Sequence, residues 1–212
     1  MIESILPADV QAVQTFIHRL DIPLSPQEEA VIAGAGPKRR AEFTSVRACA
    51  HDALIALGVP PAPLLPDERG APNWPSGVVG SMTHCAGYCA AAVAHARRIT
   101  ALGIDAEPNA PLPDGTVSII ARPEERTSLA GLPAAGPSWD RLLFSAKESL
   151  YKAWYPLTRR WLGFQEASLD IAPDGTFTAR VLVPAPPELA CLRGHWAAKG
   201  DHVVTAVVVG TG

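Results

Sequence analysis

Apolar residues recur at helical spacing twice along the chain. Phe43, Val46, Ala50, Leu54 and Leu57 form the first stripe. Pro37 precedes it, where a fixed φ and a missing N–H suit the first helical turn. Gly58 follows it, where a residue free to take positive φ ends a helix. The spacing predicts a helix over 37–57, with Arg40, Arg47 and His51 sharing a face roughly opposite the apolar stripe. Leu143, Ala146, Leu150 and Ala153 form the second stripe, and Arg141, Ser145, Glu148 and Lys152 line up across from it. Ser138 supplies an N-cap oxygen and Pro156 breaks the pattern, so this helix is predicted over 139–155.

Elsewhere the period drops to two. From Ile99 to Glu107, Leu102, Ile104 and Ala106 fall on one face and Gly103, Asp105 and Glu107 on the other. Tyr88 to Ala94 is a short apolar strand, and His95-Ala-Arg-Arg98 fits a turn, which predicts an antiparallel hairpin. Pro108 ends its second strand because proline donates no ladder bond. Residues 167–172, 177–183 and 202–209 are further strands, the first two joined by a Pro173-Asp-Gly175 turn. Residues 59–75 are a proline-rich surface loop, and 108–137 are mostly loop around a short helix near 118–121.

Each half thus has a long helix followed by paired strands. The fold class expected is α+β: two similar α/β halves related by a pseudo-twofold axis. Each long helix packs on a small antiparallel sheet, and the active site sits in the cleft between the halves. The division falls between 1–103 and 104–212.

The remaining composition narrows the classes of function. The chain of 212 residues is 48% hydrophobic, which suits a folded core, and its net charge is −3. Without a long basic run there is no case for nucleic acid. Local basic spots occur at Lys38-Arg39-Arg40 and at Arg159-Arg160. Cys49, Cys85, Cys89 and Cys191 form no CxxC pair and read as reduced thiols of a cytoplasmic protein. The first residues lack a signal-peptide pattern, and Val203–Val209 is too short to span a bilayer, so no membrane partner is expected.

Candidate chemistry starts from Asp105 and Glu107. At i and i+2 on a strand their carboxylates point the same way and repel unless a cation lies between them. Hard oxygen ligands of this kind suit Mg²⁺. Glu148 and Lys152, one helical turn apart, are either a surface ion pair or a third ligand beside a phosphate-binding cation. His84 lies in Gly80-Ser-Met-Thr-His-Cys-Ala-Gly87, where small residues let backbone approach a ligand. Taken singly, each pattern has an ordinary structural reading: solvated acids, a surface pair, a packed histidine. No His/Cys group has zinc spacing.

Four blocks occur together and in order: Lys38-Arg-Arg-Ala-Glu-Phe-Thr-Ser-Val-Arg47, Gly80-Ser-Met-Thr-His-Cys-Ala-Gly-Tyr88, Gly103-Ile-Asp-Ala-Glu-Pro108, and Phe144-Ser-Ala-Lys-Glu-Ser-Leu-Tyr-Lys-Ala-Trp154. In these blocks the sequence resembles the Sfp/EntD-type phosphopantetheinyl transferases, most closely their EntD-like actinobacterial branch. The resemblance implies a cleft that binds coenzyme A. It implies Mg²⁺, or Mn²⁺ in its place, on Asp105, Glu107 and Glu148. By the same carry-over His84 and Lys152 meet the phosphates, and Thr83 belongs to the coenzyme A site. Arg39 and Arg47 meet the adenosine end and its ribose phosphate, with Arg40 ranked below Arg39, and Arg69 is a further candidate for the phosphates. Ala106, between the two acids, offers no side-chain oxygen, so the cation needs water or a carbonyl there.

The implied reaction moves the phosphopantetheine arm to a serine of an apo acyl or peptidyl carrier protein, in fatty acid, polyketide or nonribosomal peptide synthesis. Glu148 would take the serine proton and Lys152 would offset charge on the leaving group. Arg159-Arg160-Trp161-Leu162 is a candidate for docking an acidic carrier helix. Fused halves make a monomer the expected state. Two rivals stay open: a Mg²⁺-dependent hydrolase of coenzyme A or another nucleotide, and a non-catalytic module that binds coenzyme A or carriers.

Overall fold

A computed structural model describes residues 1–20 and 22–211. The order is β1 (Val10–Thr15), α1 (Pro26–Val31), α2 (Pro37–Ala56), β2 (Val78–Cys85), β3 (Tyr88–His95) and β4 (Ile99–Pro108). Then come α3 (Thr116–Ile120), α4 (Pro123–Ala130), α5 (Trp139–Thr158), β5 (Ala167–Ile171), β6 (Thr176–Val181), α6 (Pro187–Ala190), β7 (Cys191–Lys199) and β8 (His202–Gly210). Two antiparallel sheets result, ordered β1-β3-β2 and β4-β8-β7-β6-β5. The α+β class and the two-half architecture hold.

Both long helices form where the apolar stripes place them. In α2, Val46, Cys49, Ala50, Ala53 and Leu54 pack with Ala91 and Val93 of β3. In α5, Leu142, Leu143, Ala146, Leu150 and Ala153 pack with Val203, Val207 and Val209 of β8. Pro156 does not stop α5 before its last turn; the helix ends at Arg159, which caps it in the left-handed region with φ 55°. A proline near the C-terminus disturbs only the final turn, so the helix survives it. Ser138 sits at the N-cap, but its side chain makes no cap bond.

The hairpin expected between 88–94 and 99–107 does not form. β3 turns back on β2 through Ala86-Gly87, with Gly87 at φ 73°. β4 leaves for the other sheet, where it pairs with β8 from Ile99↔Gly210 to Pro108↔His202. Residues 103 and 104 both lie inside β4, opposite Val207 and Ala206, and the chain passes from one sheet to the other between β3 and β4.

The sheets meet where β2 faces β4, and hydroxyls make the join. Ser81 Oγ accepts from the Ile104 N–H at 3.0 Å, and Thr83 Oγ1 accepts from the Ala106 N–H at 3.0 Å. These buried side chains satisfy edge donors that would otherwise cost free energy. α5 lies directly on β4 because Gly103 has no side chain. A Cβ there would collide with the Ser149 carbonyl and come within 2.7 Å of Ala153 N. The helix residues one turn either side of that contact are thereby held close to Asp105.

Candidate active site

A cavity of about 780 Å³ lies between the halves. From α2 come Arg39, Phe43 and Arg47. β2 contributes Gly80, Ser81, Met82 and His84, and the segment before it contributes Asp67, Arg69 and Trp74. The far wall is α5, through Glu148, Tyr151, Lys152, Tyr155 and Arg159. Gly80 leaves room for the Trp74 ring, which would lie 2.7 Å from a Cβ there.

Lys152 is the centre of the arrangement. Its Nζ donates to Asp105 Oδ1 at 2.8 Å, to Ile104 O at 3.1 Å and to Met82 O at 3.4 Å. It thus ties α5 to both facing strands. Asp105 is buried behind it. Thr83 Oγ1 donates to the same Oδ1 at 3.2 Å, while Oδ2 is buried with no hydrogen-bond partner. Glu107 pairs with Arg141 at 3.0 Å. Burial, with Asp105 beside it, raises the pKa of Glu107. Glu148 has no hydrogen-bond or ion-pair partner among the described residues. Burial raises its pKa, helped by Asp105 and Glu107 and opposed by Lys152. These three acids feel one another, yet each of the first two faces a cation. Among the described residues no three His, Cys, Asp or Glu side chains converge as a ready metal cluster.

On the opposite side, Arg39 Nη1 donates to His84 Nε2 at 3.0 Å, and Glu42 lies 3.9 Å from Nδ1. Burial, with the cations Arg39 and Lys152, lowers the His84 pKa against the pull of Glu42. Arg69 is exposed on the loop at the cavity edge.

Four expected residues sit differently from their sequence pattern. Arg47 is not on an open face: it is buried, donates through Nε and Nη2 to Leu64 O, and stacks on Phe43 with 3.2 Å to the ring centroid. Its charge lies 3.7 Å from buried Glu28. Arg40 turns away from the cavity to Glu29 at 2.6 Å and to Ile32 O. Thr83 is buried outside the lining, with its hydroxyl spent on Asp105 and Ala106. Arg159, expected in a docking loop, bonds Asp67 at 3.0 Å, while Trp161 stays 59% exposed beside the Tyr151 ring.

Sequence reasoning gave no site role to Arg141, Asp67 or Lys147. Lys147 is 3% exposed and donates to Ile120 O, Phe164 O and Ala167 O, with Glu125 at 2.8 Å. Its place beside Glu148 in the helical block was the only signal available.

Comparison with known proteins gives the class. A model described as the 4'-phosphopantetheinyl transferase N-terminal domain matches residues 27–94, and one described as the 4'-phosphopantetheinyl transferase superfamily matches 101–207. The chain belongs to the 4'-phosphopantetheinyl transferase superfamily. It is 55% identical to 4'-phosphopantetheinyl transferase Svp of Streptomyces mobaraensis, over 99% of this chain and 89% of that one. It is 42% identical to 4'-phosphopantetheinyl transferase PptT of Mycobacterium tuberculosis, over 99% and 98%. Identity to enterobactin synthase component D of Salmonella typhi is 31%, over 90% and 80%. No helix among the described residues is long and apolar enough to cross a membrane.

Proposed function

We propose that the protein moves the 4'-phosphopantetheine arm of coenzyme A to a serine of apo acyl or peptidyl carrier proteins and releases adenosine 3',5'-bisphosphate. The observation that carries this reading is Lys152, whose ammonium joins Asp105 to the wall of the cavity beside Glu148. An anion entering that cavity meets Lys152 and Arg39 from opposite sides, with Arg69 at the edge.

The donor set fits a divalent cation. Asp105 Oδ2 is a buried carboxylate oxygen without a partner, and Glu107 and Glu148 bring two more carboxylates near it, each with its pKa raised by burial and by the neighbouring acids. Asp105, Glu107 and Glu148 would hold Mg²⁺, with Mn²⁺ as a substitute. When bound, such an ion neutralises diphosphate charge and orients the reacting phosphoryl group.

The chain's own groups do the rest. The serine oxygen forms a bond to the β-phosphorus as the bond from that phosphorus to the bridging oxygen breaks, and the bisphosphate departs with the electron pair. Glu148, which has no ion-pair partner among the described residues, takes the serine proton directly or through a water. Lys152 stabilises the departing oxygen, and Arg39 and His84 hold the phosphates in line. Arg47 and Arg69 complete the coenzyme A site, with Thr83 acting behind it through its hydroxyl on Asp105 and Arg40 ranked last. Arg160 and Trp161, both exposed just beyond the end of α5, would offer charge and apolar area to a docking carrier. The four cysteines are free, which suits the cytoplasm, and both cavity walls come from one chain, which suits a monomer.

Incubation with coenzyme A, Mg²⁺ and a panel of apo carriers, followed by intact mass, tests the reading. Transfer adds about 340 Da per arm, a figure set by the cofactor's own chemistry. EDTA should abolish the gain. Breakdown of coenzyme A with no gain on any carrier would establish the hydrolase, and Mg²⁺-independent binding without turnover the non-catalytic module.

A further inference from the structure

The segment before β2 is closed on itself. Asp67 N–H donates to Ala71 O at 2.8 Å, Gly70 N–H to Asp67 O at 3.0 Å and Asn73 N–H to Leu65 O at 2.9 Å. The tip, Glu68 to Gly70, is exposed, and Arg69 lies on it at the cavity edge. One carboxylate fixes both the shape of this loop and its place. Asp67 Oδ1 accepts from the N–H of Arg69 at 2.9 Å and of Ala71 at 3.0 Å. Its Oδ2 accepts from Tyr155 Oη at 3.1 Å and Arg159 Nη1 at 3.0 Å, both at the end of α5.

Burial alone would raise the pKa of Asp67, but the two N–H bonds, Tyr155 and Arg159 together lower it. Arg159 is the one non-glycine residue at positive φ among the described residues. Such a conformation persists where surrounding contacts over-determine it. Its side chain, 65% exposed, ends on Asp67. A solvated ion pair alone contributes little, so the weight falls on the four bonds that converge on one half-buried group.

We propose that Asp67 is a positioning residue that latches the 65–73 loop to the end of α5 and so sets the affinity for coenzyme A. The proposal rests on the coenzyme A reading above. An unlatched loop must be ordered when the ligand arrives, and that ordering subtracts from binding. A latched loop presents Arg69 and the cavity wall already in place. Tyr155 and Arg159 act through the same carboxylate, so their contributions depend on it.

Calorimetric titration of coenzyme A into the full chain tests this. Asp67→Ala is expected to weaken binding about tenfold, and Tyr155→Phe about threefold, as one or two charge-assisted contacts would. KM for the carrier should stay at the wild-type value. Arg159→Ala should weaken binding in the wild-type background and add nothing further in Asp67→Ala, because the two residues are one unit. Wild-type affinity in Asp67→Ala overturns the latch. So do additive losses in the double variant, which would mean that Arg159 meets the ligand itself. If Asp67→Ala fails to fold, Tyr155→Phe decides, and wild-type affinity in it overturns the proposal. A wild-type chain with no affinity for coenzyme A would instead overturn the reading beneath it.

Discussion

Helices α2 and α5 are each 20 residues long, each lies on its own sheet, and both furnish walls of one cavity. Their polar faces have opposite fates. On α5 the side across from the apolar stripe opens to the cavity at Glu148 and Lys152, which stand half-buried, while Ser145 on the same side is buried against Thr205 of β8. On α2 the equivalent side is covered. α1 and the chain at Leu64 lie over it, and Arg47 and His51 are drawn to Glu28, whose carboxylate also accepts from the Leu64 N–H at 3.0 Å. Charge on α5 faces the cavity at Glu148 and Lys152. Much of the charge on α2 holds up the wall behind the ligand. Only Arg39, at the start of α2, is both exposed and in the lining.

The largest effect should separate these roles outright. Glu148→Ala, Lys152→Ala and Asp105→Ala are each expected to lower kcat/KM by about 10³-fold or more. Melting followed by circular dichroism should show the fold intact. A Glu148→Gln variant that kept most of the rate would refute the assignment of Glu148 as base while leaving its place in the site untouched. Within α5 itself the contrast narrows to adjacent residues. Lys147, buried on three carbonyls and Glu125, has no open side. Lys147→Met leaves those acceptors and a buried carboxylate unpaired, and should cost about 3–5 kcal/mol in chemical denaturation. Position 147 thus reports on stability and position 148 on catalysis.

The covered face of α2 makes a pH prediction. Burial opposes ionisation of Glu28, but His51, the Leu64 N–H and Ser25 outweigh it and bring the pKa from 4.5 to about 2. A lowered folded-state pKa gives stability that is present above pH 4.5 and lost as pH falls toward 2. The shift corresponds to about 3 kcal/mol. Urea unfolding at pH 5 and at pH 2.5 should therefore differ for the wild type, and differ much less for Glu28→Gln. Equal slopes in the two proteins would mean that Glu28 is not the linked group.

The same contrast explains what the sequence made visible. α5 could be read because its apolar stripe meets core while Glu148 and Lys152 meet the cavity, although Ser145, on the same polar side, is buried on Thr205. α2 could be located from its stripe, but not the burial of Arg47, because the cover comes from residues 28 and 64. β2 escaped notice since Gly80, Ser81, Thr83 and His84 break any apolar alternation. Those residues face a cavity and a neighbouring strand joined by hydroxyls rather than by side-chain packing. β7 escaped for a related reason: its inward position 194 is a glycine, forced by the Phe177 ring, which would lie about 2.5 Å from a Cβ there. The acids and Lys152 could be singled out as candidates because they lie in compact blocks. Asp67 could not be, since its helix partners are 88 and 92 residues away.

The smallest effect is the most exacting, because it divides two adjacent arginines that composition cannot tell apart. Helical geometry puts Arg40, not Arg39, on the face shared with Arg47. Arg40, however, is held by Glu29 and Ile32 O beside α1 and contributes nothing to the lining. Arg39 projects from the first turn of α2, where exposed backbone lets its side chain reach across to His84. Arg39→Ala should therefore raise KM for coenzyme A about fivefold, as loss of one solvent-accessible charged contact would. Arg40→Ala should leave that KM within about twofold and lower stability by about 0.5 kcal/mol, the scale of an exposed ion pair. Paired steady-state measurements on the two variants decide it. The reverse ranking would mean that the first turn of α2 swings when ligand binds, and that Glu29 gives up its arginine to the phosphate.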